Sequence, residues 1–125
     1  MADEQPSPVR IELPFPPASL SGHSDKHFWR LRPIIKKHRE WAIAATLAVR
    51  NHLAIPLGDN SDIPVSVTFY PPDRRGDRVN YPNRMKPYWD GIADALCVND
   101  RRFLPEYRYA DPGKPGKVIV EVGHG

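Results

Sequence analysis

The feature that most constrains the fold is an apolar stripe at helical spacing that closely follows a strand-like segment. The stripe has the three- and four-residue spacing of one α-helical face and comprises Met85, Trp89, Ile92, Ala93 and Leu96. Upstream, residues 63–70 alternate apolar and polar side chains until Pro71 and Pro72 end the run. This pattern is typical of a β-strand, because proline cannot donate to a strand ladder. A strand that leads into an amphipathic helix predicts a helix packed on a sheet.

The other patterns predict one small α/β domain of the α+β type. Residues 9–15, 106–109 and 117–122 have strand character, and a helix is expected from Pro33 to about His52. The order is then β-α-β-α-β-β, which predicts a small mixed sheet of about four strands with two main helices.

Local details of both helices are predictable as well. The first helix is expected to bury a stripe formed by Ile34, Trp41, Ala45 and Ala48. Gly91 lies in the middle of the second helix, where glycine costs about 1 kcal/mol relative to alanine, so we expect a close approach by another element. Cys97 follows the apolar stripe and is expected to be a buried small hydrophobe.

Length and composition bound the organisation of the chain. Its 125 residues predict one domain over residues 9–125, after a disordered tail of residues 1–8. A domain of this size has little room for a large cleft, which favours a homodimer. The net charge of +3 suits a nucleic-acid partner but is weak evidence alone. Cys97 is the single cysteine, which excludes an internal disulfide and a cysteine-based zinc site. The polar start and the absence of an apolar run near ~20 residues predict no membrane partner. The single cysteine favours a cytoplasmic protein, and without a glycine-rich phosphate loop no small-molecule cofactor is expected.

Aspartates on both sides of the second helix are candidates for metal-dependent chemistry. Asp77 lies in the turn that precedes the helix, and Asp100 lies in the turn that follows it. Carboxylate oxygens are the hard ligands that Mg²⁺ prefers, and a bound Mg²⁺ can activate water and stabilise charge on a phosphate. Lys86, Asp90 and Asp94 share one helical face, and Lys86 could contact the scissile phosphate. The alternative is that the turn aspartates are ordinary turn residues and that the helical acids form a solvated or supporting face.

The spacing of the two turn aspartates leaves their relation open. A helix of about 12 residues spans roughly 18 Å, so Asp77 and Asp100 meet only if the chain doubles back or if a partner subunit supplies one of them. Asn80 either caps the helix, which is its commoner role, or orients a ligand.

Basic residues surround these acids and predict contacts with phosphates. The candidates for DNA binding are Arg74, Arg75, Arg78, Arg84, Arg101, Arg102, Lys36 and Lys37. Phe28 and Trp29 could stack on exposed bases, although Trp29 taken alone is expected in the core.

Three stretches resemble the RusA family of Holliday junction resolvases: IELPFPPAS, PPDRRGDRVN and KPYWDGIADALCVNDRRF. The family's acidic site is written with two aspartates as D-x-D-N, then a lysine, then a third aspartate beyond the helix. On that pattern Asp77 takes the first position, while Asn80, Lys86 and Asp100 take the asparagine, the lysine and the third aspartate. Val79 stands at the second aspartate position, where valine cannot bind a metal. Either Asp73 or Asp90 replaces the missing carboxylate, or Asn80 or water completes the metal shell, or this member binds junctions and cuts poorly.

The resemblance implies a homodimeric endonuclease, dependent on Mg²⁺ with Mn²⁺ as an alternative, that resolves four-way DNA junctions by paired symmetric nicks in recombination and repair. It makes Asp77, Lys86 and Asp100 the expected catalytic residues, with Asp77 and Asp100 as metal ligands. Two other functions are open: a junction-binding protein without catalysis, and a basic module for single strands or RNA.

Overall fold

Four strands form one mixed sheet, with two helices packed against it. The computed structural model describes residues 8–21, 28–53, 57–58 and 60–123, so the predicted tail lies outside the described residues except for Pro8. The strands are β1 (Val9–Pro14), β2 (Ile63–Tyr70), β3 (Phe103–Tyr109) and β4 (Lys117–Val122), and the helices are α1 (Phe28–Val49) and α2 (Lys86–Leu96).

The sheet has the strand order β1-β4-β2-β3. Strand β4 is antiparallel to both β1 and β2, whereas β2 and β3 are parallel. A four-stranded mixed sheet with two main helices confirms the predicted fold class and the predicted order of elements. Strands β2 and β4 have the predicted bounds, and β3 begins at Phe103, three residues earlier than the alternation alone indicated.

Alternation along the strands separates a core face from an open face. In β1, Val9, Ile11 and Leu13 are buried, while the residues between them are exposed. The buried strand residues form one cluster with residues of both helices, including Ala42 of α1 and Ile92 of α2. One face of the sheet therefore packs on the helices, and within the described part of the chain no element covers the opposite face of β1.

Helix α1 differs from its predicted start and orientation. It begins at Phe28 and continues through Pro33, which lacks the N–H for one intrahelical hydrogen bond. Its most buried residues are His38, Ala42 and Thr46, so the predicted stripe through Trp41 and Ala48 was wrong. At its contact with Gly91 of α2, this buried face carries the small side chain of Ala42. The structure also corrects the expected burial of Trp29, which is 69% exposed.

The prediction that Cys97 is buried was wrong. Cys97 is exposed and has a left-handed backbone conformation, with a φ of 59°. It directly follows the last residue of α2, and its N–H donates to the carbonyls of Ala93 and Asp94. A left-handed residue at this position ends a helix and reverses the chain, so Cys97 belongs to the turn rather than to the core.

The helices also bear on membrane association. Within the part of the chain that the structure describes, neither helix combines the length and the apolarity that crossing a membrane requires.

Gly91 lies at a close approach of the two helices, as the sequence predicts. A Cβ atom there would lie 2.4 Å from the backbone oxygen of Arg39 and 2.8 Å from the Cβ of Ala42. We expect Gly91→Ala to lower the free energy of unfolding by about 1–3 kcal/mol, as overpacking does, despite alanine's higher helix propensity. Urea denaturation of both proteins measures this difference.

The matched control is Gly58→Ala, because nothing lies within 4 Å of a Cβ at that position. We expect its free energy of unfolding to stay within about 1 kcal/mol of the wild-type value. A Gly91→Ala variant that is as stable as the wild type would show that the helices can separate without cost.

Candidate functional site

The turn after β2 is fixed by a tight contact with a buried tyrosine. Tyr81 is 2% exposed, and a Cβ at Gly76 would lie 2.4 Å from its hydroxyl oxygen. Asp73 bends the start of the turn, because its carboxylate accepts a hydrogen bond from the N–H of Arg75 at 2.9 Å. Packing on Tyr81 and this local hydrogen bond set the path of the turn that carries Asp77.

Asp77 is exposed and caps a short 3₁₀ turn, Arg78–Asn80. Its carboxylate accepts hydrogen bonds from the N–H of Val79 at 3.2 Å and from the side-chain amide of Asn80 at 3.4 Å. Asn80 does not cap α2. The residue at the N-cap position of that helix is Met85, whose side chain makes no capping hydrogen bond. Asn80 instead contacts the carboxylate of Asp77, and its role in orienting a ligand stays a prediction.

The turn after α2 carries Asp100 back along the helix. The N–H of Val98 donates to the carbonyl of Ala93 at 3.0 Å, which continues the reversal begun at Cys97. Asn99 then caps the next turn, with its side-chain oxygen accepting from the N–H of Arg101 at 3.0 Å. The chain therefore doubles back after α2, but its return brings Asp100 to Lys86, and a meeting of Asp100 with Asp77 stays a prediction.

Lys86 joins Asp90 and Asp100 in one cluster. Its ammonium nitrogen lies 2.9 Å from a carboxylate oxygen of Asp90 and 2.6 Å from one of Asp100. Asp90 is one helical turn away, whereas Asp100 arrives by the return of the chain. The side chains of Asp90 and Asp100 are 39% and 31% exposed, so the cluster is accessible from solvent.

The charges in this cluster stabilise one another. The hydrogen bond from Lys86 lowers the pKa of Asp100, and the hydrogen bond to Asp100 raises the pKa of Lys86, with Asp90 adding to that increase. At neutral pH Asp100 is therefore a carboxylate and Lys86 a cation. Lys86 can neutralise charge on a phosphate, but it does not accept a proton in this state.

The described residues do not complete the metal site expected from sequence. Among them, no three His, Cys, Asp or Glu side chains form a group that could hold a metal ion. Asp77 and Asp100 therefore do not form a three-carboxylate metal site with either Asp73 or Asp90. Asp90 and Asp100 do fit a more open site, because Mg²⁺ is often held by one or two carboxylates, with water and substrate phosphate as the other ligands.

Most of the predicted DNA-binding cations are exposed. Three flank Asp77, one follows Asp100 and two lie on α1: Arg74, Arg75, Arg78, Arg101, Lys36 and Lys37. Arg102 is partly exposed and donates to the carbonyls of Ser61 and Leu57 at 3.0 and 2.8 Å. It therefore anchors the segment that precedes β2.

Arg84 has a different environment from the other cations. It is 9% exposed, and its guanidinium donates to the hydroxyl of Ser21 and to the carbonyl of Pro16, at 3.3 and 3.2 Å. It also lies over the rings of Phe15 and Tyr81, and burial lowers its pKa. In this fold Arg84 ties the amino-terminal segment to the turn region and is not presented to a DNA strand.

Two contacts that support the site are not evident from the sequence. The guanidinium of Arg39 in α1 forms a salt bridge with Asp94 in α2, and the hydroxyl of Tyr88 donates to the carbonyl of Pro14 at 2.6 Å. The polar helical face predicted for Asp94 is a weak signal for the first contact. Nothing in the local pattern indicates the second, which joins residues 74 positions apart.

An uncharacterized protein of Xylella fastidiosa (strain Temecula1 / ATCC 700964) is 36% identical over 115 residues, which cover 90% of this chain and 74% of that protein. The chain belongs to the same family as this Xylella protein. No family model matches the chain.

The ion pair between Lys86 and Asp100 makes a prediction about titration. We expect the Asp100 carboxyl to titrate below the usual aspartate range, and Lys86→Gln to raise its pKa. Because folding lowers the pKa of Asp100, its ion pair with Lys86 stabilises the folded state at any pH above the unfolded pKa of aspartate. This stabilisation is lost as the pH falls through the pKa of Asp100 in the folded state. Side-chain carboxyl NMR measures the midpoint.

The control for this titration is Lys36→Gln, which removes an exposed cation from α1. It is expected to leave the midpoint of Asp100 in place. An Asp100 midpoint that does not move in Lys86→Gln would mean that the two side chains are not paired in solution.

Proposed function

We propose that the chain is a RusA-type, Mg²⁺-dependent endonuclease that resolves Holliday junctions as a homodimer. It would act in DNA recombination and repair in the cytoplasm of a bacterium or a phage-infected cell. The proposal assigns Asp100 and Asp77 to metal binding, Lys86 to phosphate binding, and the exposed arginines to the junction arms.

The observation that carries the proposal is the return of Asp100 to Lys86. The two residues are 14 positions apart, and the sequence resemblance selects both of them independently of their distance. Their contact supports a shared role, because a metal ligand and a phosphate-binding lysine must act on the same group. Asp90 belongs to the same cluster and is the stronger of the two candidates for the missing second carboxylate.

The chain's own residues would bind and polarise the scissile phosphate. Asp90 and Asp100 would hold Mg²⁺, which when bound supplies an activated water and positive charge at the phosphate. Lys86 would exchange its contacts with the carboxylates for a contact with a phosphate oxygen, where its charge stabilises the negative charge that develops. The raised pKa of Lys86 keeps it cationic for this purpose.

Asp77 requires a further element to join this site. Its carboxylate is engaged by Val79 and Asn80 within its own turn. It would complete the metal shell either from the partner subunit or after the turn moves on binding DNA. A two-fold dimer would place two such sites on strands related by the symmetry of the junction, which accounts for paired nicks.

A junction-binding protein without catalysis is the second candidate. It is favoured by Val79, which is 75% exposed at the second aspartate position, and by the lack of a three-ligand group among the described residues. A module for single strands or RNA is the third candidate, supported by the exposure of Trp29 next to the cations of α1. Both alternatives predict binding without metal-dependent cutting.

Cleavage of defined DNA substrates separates the three functions. A labelled four-way junction, a linear duplex and a single strand are incubated with the protein in Mg²⁺ or in EDTA. We expect symmetric nicks in the junction alone, and only with Mg²⁺. Asp100→Asn and Asp77→Asn are each expected to lower the cleavage rate at least about a hundredfold, as loss of a metal-ligand charge does, while junction binding is retained.

The matched controls are Asp94→Asn, which alters a carboxylate engaged by Arg39, and Val79→Asp. We expect the first to keep cleavage and the second to leave it unchanged or raise it. Binding to the junction without nicks supports the second function, and equal affinity for single strands supports the third. Cleavage that survives Asp100→Asn would remove Asp100 from the metal site.

A further inference from the structure

Strand β3 leaves one of its edges unpaired. It is the outermost strand of the sheet, and β2 pairs with it on one side. Within the described part of the chain, no strand pairs with its other side. An open strand edge presents a row of backbone donors and acceptors that can pair with another chain.

The backbone groups that point outward can be identified from the register. Phe69 pairs with Tyr109, and the N–H of Ala110 donates to the carbonyl of Phe69 at 2.9 Å. In a parallel pair, the N–H and the carbonyl of one residue point to the same side. The even-numbered residues of β3 therefore bond to β2, and the odd-numbered residues, including Tyr107 and Tyr109, point to the open edge.

The side chains of β3 are unusual for an exposed edge. Leu104 is 59% exposed and Tyr109 is 43% exposed, and both are large apolar residues. Between them, Glu106 and Arg108 form an ion pair at 2.5 Å on one face of the strand. The strand thus carries one acidic and one basic residue that are symmetrically placed about Tyr107.

We propose that β3 pairs antiparallel with the β3 of a second copy of this chain, with the two-fold axis at Tyr107. Glu106 then lies opposite the partner's Arg108, and Arg108 opposite the partner's Glu106. Tyr107 exchanges both backbone hydrogen bonds with its own copy, and the two four-stranded sheets become one sheet of eight strands. Such an interface is self-complementary, as two-fold symmetry requires.

The apolar residues also find apolar partners in this register. Leu104 lies opposite the partner's Ala110, and Tyr109 lies opposite the partner's Pro105. The N–H of Tyr109 reaches the carbonyl of the partner's Pro105, which accepts although proline cannot donate. Both exposed apolar side chains of β3 are therefore covered by the same pairing that matches the charges.

Other registers of the same two strands are less favourable. An axis at Glu106 or at Arg108 places like charges opposite each other, which is destabilising. An axis at Pro105 removes both central hydrogen bonds, because that residue has no N–H.

The opposite edge of the sheet is a weaker candidate. Strand β1 exposes no large apolar residue among those described. Its Glu12 already lies 3.6 Å from Lys117 of the neighbouring strand β4. The exposed apolar side chains that favour a second copy thus lie on β3, beside one acidic and one basic residue that pair only within their own strand.

This pairing supplies the interface for the homodimer and in that respect rests on the proposed function. It is nevertheless testable without DNA or metal. If the protein does not cut the junction, the β3 pairing can still be correct. If the protein does not dimerise through β3, the nuclease activity can still be present in another assembly.

Charge reversal across the axis tests the pairing. The dissociation constant of the full chain is measured by sedimentation velocity under reducing conditions, so that the exposed Cys97 forms no intermolecular disulfide. Glu106→Arg places two arginines opposite each other, and Arg108→Glu places two glutamates opposite each other. Each variant is expected to weaken the dimer about tenfold or more, because two cross-strand pairs become repulsive.

Mixing the two variants restores both attractive pairs, because one chain then carries two arginines and the other two glutamates. The mixture is therefore expected to dimerise at least about tenfold more tightly than either variant alone. The double variant Glu106→Arg with Arg108→Glu keeps the ion pair within each chain and is expected to dimerise like the wild type. Thermal unfolding followed by circular dichroism confirms that each variant is folded.

Glu12→Arg, on β1, is the matched control and is expected to leave the dissociation constant unchanged. The proposal is overturned if the wild type sediments as a monomer at all concentrations. It is also overturned if the mixture dimerises no more tightly than its components, or if Glu12→Arg weakens the dimer as much as Glu106→Arg does.

Discussion

The arrangement of the candidate site depends on the reversal of the chain after α2. Cys97 adopts a left-handed conformation there, and the following residues return beside the helix instead of extending away from it. The reversal brings Asp100 to Lys86 and then delivers the chain into β3, parallel to β2. A parallel neighbour of this kind requires a crossover through a helix, so one turn serves both the sheet and the acidic cluster.

The close contact between α1 and α2 holds this crossover in place. Because Gly91 has no side chain, the backbone of α1 can pack directly against it. A salt bridge between the partly exposed side chains of Arg39 and Asp94 also links the two helices. The hydroxyl of Tyr88 adds a bond to the end of β1. With α2 fixed on two sides, the backbone that carries Lys86 and Asp90 is held in place, while the exposed side chain of Lys86 can exchange its contacts for a ligand.

Periodicity was sufficient for β1, β2, β4 and the apolar stripe of α2, because their apolar residues lie in the core. It failed at the start of β3, a strand in which no residue is buried. It was insufficient for α1, where the buried face contains His38 and Thr46 and the exposed face contains Trp29 and Trp41. Hydrophobicity is a poor guide to the buried face of α1, because that face carries polar residues as well as the small Ala42 that contacts Gly91 of α2. Likewise, the pairing of Lys86 with Asp90 follows from helical spacing. The contact of Lys86 with Asp100 depends instead on the left-handed conformation of Cys97, and sequence rules expect glycine at such a position. Arg84 resembles its neighbours in sequence, and only the fold distinguishes its buried position from theirs.

The central claim is that the cluster of Lys86, Asp90 and Asp100 is the place where a divalent metal meets a phosphate. The most direct measurement is anomalous diffraction at the manganese absorption edge from crystals grown with Mn²⁺. The account predicts a peak in contact with the carboxylates of Asp90 and Asp100, with the ammonium of Lys86 displaced from them. A manganese peak away from Asp100, or no peak at a Mn²⁺ concentration that supports cutting, would contradict it.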